Sequence, residues 1–255
     1  MLIILSPAKK LDFKSPWPHD LRTQNRFLNE AEQVVKAMRQ LTVEQLADVM
    51  KLSPALARLN FERYRVWHLP FDVNNSRPAI FAFNGDAYQG LDISTFSQED
   101  IHYAQKHLRI LSALYGVIRP LDLLQPYRIE MGMRLSFDGY NSLYKFWEQP
   151  IAQTIRQDLM NQGDQILVNL ASEEYFKVLN PEMERVTIYN CVFKDFAAGQ
   201  YKIVSQKAKR ARGLMSRFIL KHRLTNPEEM KLFDLEGYYF SEKLSTNYNF
   251  VFLKG

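Results

Sequence analysis

The residues from Leu108 to Gly132, LRILSALYGVIRPLDLLQPYRIEMG, constrain the fold more than any other stretch of this chain. Ile110, Leu111, Ala113 and Leu114 form an apolar run too short to span a membrane, so it has to be buried core. Tyr115-Gly116 ends the run, because glycine reaches the φ > 0 backbone that a sharp turn needs. Arg119-Pro120 is expected to open a short helix, with Asp122 placed to complement its dipole. Pro126 then allows that helix no more than a turn or two. Arg109, Arg119, Arg128 and Glu130 are threaded through these apolar residues. Two readings stand here. Either the charged heads are offered to a polyanion or a small acidic ligand, or the arginines pair with the chain's own carboxylates inside a core strand and loop.

A chain of 255 residues can bury a substantial core, and with 46% hydrophobic and 24% charged residues its composition is that of a globular protein. No apolar run approaches the roughly 18 residues of a membrane helix. In MLIILSPAKK the basic residues follow the apolar ones, the reverse of a signal peptide. The single cysteine, Cys191, rules out a disulfide framework and fits a reducing cytoplasm. The expectation is a cytoplasmic protein with no membrane association.

The net charge of +5 is unevenly placed. Lys202, Lys207, Lys209, Arg210, Arg212, Arg217, Lys221 and Arg223 fall between Gln200 and Arg223 with no acid among them. The rest of the chain carries 25 basic and 28 acidic residues, so the whole positive excess lies in that segment. From Lys207 to Arg223 the apolar positions Ala208, Ala211, Leu214, Met215, Phe218 and Ile219 recur at intervals of three and four, which predicts an amphipathic helix. A basic helix without interleaved acids is the electrostatic footprint of a nucleic-acid surface; the plainer reading is a solvated face. Gly213 inside it lowers helix propensity and points to close approach of another backbone.

Elsewhere the pattern alternates helices and strands. Leu2 to Leu5 reads as a buried strand stopped by Ser6-Pro7, with Lys9 and Lys10 just past its end, where α/β proteins place ligand groups. Helices are expected over 25–41, from the Thr42/Gln45 capping box, from Ser53-Pro54 to about Tyr64, from the Ser97/Asp100 pair toward His107, and over 142–159. Ala79 to Phe83 is expected as a second buried strand, followed by a loop in which Asp86, Tyr88 and Gly90 could present a carboxylate and a phenol. The alternative for Asp86 is a turn-capping role. Strands follow at 166–170, 186–193 and 201–204, with a short helix capped at Ser172-Glu173-Glu174. Tyr238 to Phe240 and Phe250 to Phe252 are expected as short peripheral strands. No repeat or linker divides the chain, so residues 1–255 are read as one α/β domain of mixed sheet surrounded by helices.

No Walker loop, GxGxxG, GxSxG or HExxH motif occurs. His102 and His107 are spaced poorly for a helical metal pair, and with one cysteine no zinc or iron–sulfur site can be argued. No cofactor or metal is therefore expected.

Five segments resemble the YaaA peroxide-stress protein family: ILSPAKKLDF from Ile4, FNGDAYQGLDISTF from Phe83, the stretch from Leu108 to Gly132, NLASEEYF from Asn169, and AKRARGLMSRFI from Ala208. They run from end to end of the chain in the family's order. Lys10 stands where threonine is common in relatives, which adds a charge beside Lys9. The resemblance implies a cytoplasmic bacterial protein of the oxidative stress response, limiting free intracellular iron and DNA damage. It further implies a cantaloupe-like α/β fold with a basic cleft for duplex and branched DNA, and a helix-hairpin-helix element, for which Leu114-Tyr115-Gly116-Val117 is the local candidate.

Two functions remain open. In the first, the protein binds DNA without reading sequence, through Lys9, Lys10, Arg109, the Gly116 turn, Arg119, Arg128, Lys207, Lys209, Arg210, Arg212 and Arg217. In the second, an enzyme acts on a nucleotide or damaged DNA through a cleft joining Lys9, Asp86, Arg119, Arg128 and Glu173, with Lys9 as amine nucleophile. Convergence of those five side chains favours an enzyme, and a long open basic groove favours binding. A monomer is expected in either case.

Overall fold

A computed structural model describes residues 1–179, 183 and 185–255. The chain starts with β1 (Leu2–Leu5) and passes through α1 (Leu28–Arg39), α2 (Val43–Met50), α3 (Pro54–Val66), β2 (Arg77–Pro78), α4 (Ala79–Ala82) and α5 (Asp86–Leu91). Next come α6 (Gln98–His107), β3 (Leu108–Ser112), β4 (Gly116–Ile118), β5 (Leu123–Leu124), α7 (Leu143–Gln162), β6 (Ile166–Leu170) and α8 (Glu173–Phe176). The chain ends with β7 (Thr187–Ala197), β8 (Gln200–Lys202), α9 (Ser205–His222), β9 (Tyr239–Phe240) and β10 (Asn249–Lys254).

The larger sheet has the order β4-β3-β1-β6-β7-β10-β9, with β8 paired to β7. Strands β3, β1, β6, β7 and β10 run parallel, while β4, β8 and β9 are antiparallel to their neighbours. This is the mixed sheet of an α/β fold. All four residues of β1 and all five of β3 are buried, as strands covered on both faces require. From β1 the chain returns at β3 on one side and later at β6 on the other, so the strand order reverses between β1 and β6. In open sheets of this kind, ligands collect beyond the carboxyl ends of the strands at such a reversal.

Local sequence signals hold well for several helices. Thr42 and Gln45 form the reciprocal capping box of α2, Ser97 and Asp100 that of α6, and Ser53 caps α3 with Pro54 in its first turn. The helix expected over 25–41 begins at Leu28, since Asn25 turns its side-chain oxygen onto the amide of Phe27. Gly213 does mark a close backbone approach: a Cβ there would stand 1.7 Å from the carbonyl oxygen of Ala87. Gly90, on α5, matches it, since a Cβ there would lie 2.3 Å from the carbonyl oxygen of Arg210. The two helices therefore cross with their backbones nearly touching, which fixes α9 against the cleft described below.

Other expectations are corrected. Ala79 to Ala82 is a helical turn, not a strand; a short apolar run carries no periodicity that separates the two. Asp86, Tyr88 and Gly90 belong to α5, not to a loop. No helix follows Pro120: Asp122 accepts the Arg119 amide at 2.8 Å, closing a turn that leads into β5. The turn at Gly116 joins two strands, with Ile110 opposite Ile118 and Leu111 opposite Val117, so a strand hairpin stands where the helix-hairpin-helix was expected. β10 is not peripheral, because it lies between β7 and β9 with Phe250 and Phe252 buried.

Candidate functional site

Beyond the carboxyl ends of β1 and β6, a cleft of about 640 Å³ opens. Its floor begins where the two strands stop. The Ser6 hydroxyl accepts the backbone N–H of Ser172 at 2.8 Å and donates to the Ser172 hydroxyl at 3.2 Å. Ser172 stands at the N-cap position of α8, but its hydroxyl is turned to Ser6 and makes no cap hydrogen bond. Tyr88 on α5 donates its phenol to the Ser6 carbonyl at 3.0 Å, and the phenol of Tyr127 is bound to the Ser112 hydroxyl at 2.8 Å. Burial raises the phenols of Tyr88 and Tyr175 well above their ordinary values, so both are neutral hydrogen-bonding groups at physiological pH.

Five cations line the walls: Lys9 and Lys10 after β1, Arg128 after β5, and Lys209 and Arg212 on α9. Four carboxylates share the cleft, Asp86, Glu130, Glu173 and Glu174. Lys9 forms an ion pair with Glu130, although its side chain remains 58% exposed. Glu174 accepts the amide of Gly132 at 3.1 Å. Asp86 reaches only the amide of Gln206, at 3.5 Å. Among the described residues, Lys10, Arg128, Lys209 and Arg212 have no carboxylate within ion-pair distance. Arg212 is the telling one: burial lowers its guanidinium from the ordinary value, yet no anion among the described residues accompanies it. Four sequence-expected residues of the enzyme-type cleft therefore come together here, namely Lys9, Asp86, Arg128 and Glu173.

The remaining expected residues lie elsewhere, each engaged within the protein. Arg109 is 5% exposed and donates to Asp158 at 2.6 Å and to the carbonyls of Gln105 and Leu108. Arg119 grips buried Asp122 at 2.8 Å and the carbonyl of Gln24 at 3.1 Å, away from the cleft. The Gly116 turn, at φ +65°, is buried beneath Trp147, and the amides of Leu114 and Tyr115 before it donate to the Ser112 hydroxyl at 3.2 and 3.1 Å, so they are not free for phosphate. On α9, Lys207 pairs with Asp195 at 3.1 Å and Arg210 with Glu236 at 2.6 Å. Arg217 binds the carbonyls of Leu91 and Asp92 and the hydroxyl of Thr95, with its guanidinium over the Phe96 ring. The acids absent from the helix itself come from other elements.

Reasoning from sequence passed over Ser6, Ser172, Tyr127 and Tyr175 as parts of the site. The one usable signal was position: Ser6 and Ser172 each follow a buried strand closely. Among the described residues no group of three or more His, Cys, Asp or Glu is placed to hold a metal ion, and no helix is long and apolar enough to cross a membrane.

Comparison with known proteins finds similarity over nearly the whole length of the chain. A family model described as peroxide stress protein YaaA matches residues 1–244. A UPF0246 protein of Aliivibrio fischeri is 48% identical over 252 residues, covering 99% of this chain and 97% of the relative. A UPF0246 protein of Idiomarina loihiensis is also 48% identical, over 254 residues, covering 100% and 98%. The chain belongs to the peroxide stress protein YaaA family.

Proposed function

We propose that this protein serves the peroxide stress response by binding DNA in the cleft. Phosphates would be held there by Lys10, Arg128, Lys209 and Arg212, with Lys9 at the rim. The observation that carries this reading is the gathering of four cations without carboxylate partners among the described residues, at the place where the sheet's strand order reverses. Contacts to phosphate carry no base information, so duplex and branched DNA of unrelated sequence are the expected partners. Protection of DNA and restraint of free intracellular iron are proposed as consequences of that binding. The outer cations of α9 play a smaller part in this reading, because Arg210 and Arg217 are already satisfied internally.

An enzyme acting on a nucleotide or on damaged DNA is the second reading, favoured by the meeting of Lys9, Asp86, Arg128 and Glu173. It requires an amine freed from charge and water, whereas Lys9 is exposed and bound by Glu130, so we adopt DNA binding. The test is fluorescence anisotropy of a labelled duplex with wild type and Arg212→Gln. A clear loss of affinity, equal for unrelated sequences, supports the cleft. Unchanged affinity in a folded variant removes it.

A further inference from the structure

The cleft holds more than a phosphate-binding surface needs. A groove that only tracks a polyanion gains nothing from carboxylates on its walls, since they repel the phosphates. Here three of the four carboxylates are accounted for otherwise: Glu130 is taken by Lys9, Glu174 accepts the Gly132 amide, and Glu173 is exposed at the start of α8. Asp86 is different. It is half-buried, has no cation within ion-pair distance among the described residues, and reaches a single amide at the limit of hydrogen bonding. With one oxygen on the weak Gln206 contact and no ion-pair partner among the described residues, Asp86 is open to N–H donors that a ligand brings.

The floor adds a second element. Tyr88 and Tyr127, 6% and 4% exposed, spend their hydroxyls inward on the Ser6 carbonyl and the Ser112 hydroxyl, so these two phenols close the floor without offering a donor to a ligand. A carboxylate open to donors and a guanidinium without an anion are the two groups needed to hold a base by its donor edge and a phosphate. The cleft's volume of about 640 Å³ lies within the roughly 300–1,000 Å³ of sites that hold one small ligand.

We propose that the cleft is a binding site for a free nucleoside 5′-phosphate, with the phosphate on Arg128, Lys209 and Arg212 and a guanine edge on Asp86. Guanine is the base whose Watson–Crick edge sets two N–H donors side by side, matching the two oxygens of one carboxylate. Uracil offers a single N–H between two carbonyls, which a carboxylate repels. This inference uses the same cations as DNA binding but does not require that DNA be the partner.

The experiment is isothermal titration calorimetry of the full chain with guanosine 5′-monophosphate, uridine 5′-monophosphate, guanosine and inorganic phosphate, repeated with Asp86→Asn. Guanosine 5′-monophosphate should bind at least about tenfold more tightly than each of the other three, the discrimination one bidentate pair provides. In Asp86→Asn, checked for an unchanged melting temperature, its affinity should fall to that of uridine 5′-monophosphate. Equal binding of guanosine 5′-monophosphate and inorganic phosphate, or an undiminished guanine preference in Asp86→Asn, overturns the proposal. A labelled duplex in parallel separates the two readings. If guanosine 5′-monophosphate binds and the duplex does not, the nucleotide site stands and DNA binding falls. If the duplex binds and no nucleotide does, the reverse holds.

Discussion

The Ser6 hydroxyl takes the backbone N–H of Ser172 at 2.8 Å, and through that bond the carboxyl ends of β1 and β6 are tied together at the base of the cleft. The two serines are 166 residues apart in sequence, so the bond sets how the Lys9 segment and the Glu173 segment face each other. Ser6→Ala leaves the half-buried Ser172 amide without its acceptor and should cost about 1–2 kcal/mol in urea unfolding. Ser172→Ala keeps that bond and should cost clearly less. Equal losses would mean that the hydroxyl-to-hydroxyl contact, not the amide, supplies the tie.

The crossing of α5 and α9 leaves no room for a side chain. Gly213→Ala would place its Cβ 1.7 Å from the carbonyl oxygen of Ala87, against backbone that cannot swing aside. Because the helices must separate, the loss should be at least about 2 kcal/mol by urea unfolding. Asp86 and Arg212 sit on these two helices, so any soluble variant should also bind its ligand less well. A variant of unchanged stability would contradict the close crossing.

Arg109 and Asp158 form a buried pair, joined by Arg26, and this pair has a definite pH signature. Burial alone raises the Asp158 carboxyl, but hydrogen bonds from Arg26 and Arg109 outweigh it and hold the carboxyl below its ordinary value. A carboxyl whose folded value is depressed stabilises fully above its unfolded value, about 3.9, and loses that contribution as pH falls through the folded value. Asp158→Asn strands two guanidinium groups and should cost about 3–5 kcal/mol at neutral pH. The gap between wild type and variant should stay level above about pH 5 and narrow below about pH 4. A gap that ignores pH would show that the pair acts through packing alone.

The sequence made the strand at Leu2 legible, because a short run of aliphatic residues stopped by Ser6-Pro7 has few other outcomes, whereas at Leu108 it showed buried core and left strand or helical hairpin open. Capped helices were legible for the same local reason. The 79–91 segment was not: four apolar residues fit a strand or a helical turn equally, and the amides of Ala79 and Ile80 are held by the carbonyls of Asp122 and Pro120, some forty residues away. The charge of α9 misled for a physical reason. Its lack of acids describes one helix, whereas Asp195 and Glu236, which neutralise Lys207 and Arg210, arrive from other parts of the chain. Lys9, Asp86, Arg128 and Glu173 were found because each follows a buried strand or opens a turn near one. Arg109 and Arg119 share that appearance in sequence, and only burial against Asp158 and Asp122 distinguishes them.

The salt dependence of DNA binding tests the cleft most directly. Every phosphate that the protein no longer neutralises should reduce the slope of log affinity against log salt by about 0.9. Replacing Arg128, Lys209 and Arg212 together by glutamine should therefore flatten the slope by up to about 2.7 and weaken binding alike for unrelated sequences. Arg210→Gln with Arg217→Gln removes two charges from the same helix that are already engaged within the protein. That double variant should lose some thermal stability and keep the wild-type slope. The opposite pattern, a wild-type slope in the cleft triple variant and a flattened one in the double variant, would place the DNA on the outer face of α9 and contradict the cleft.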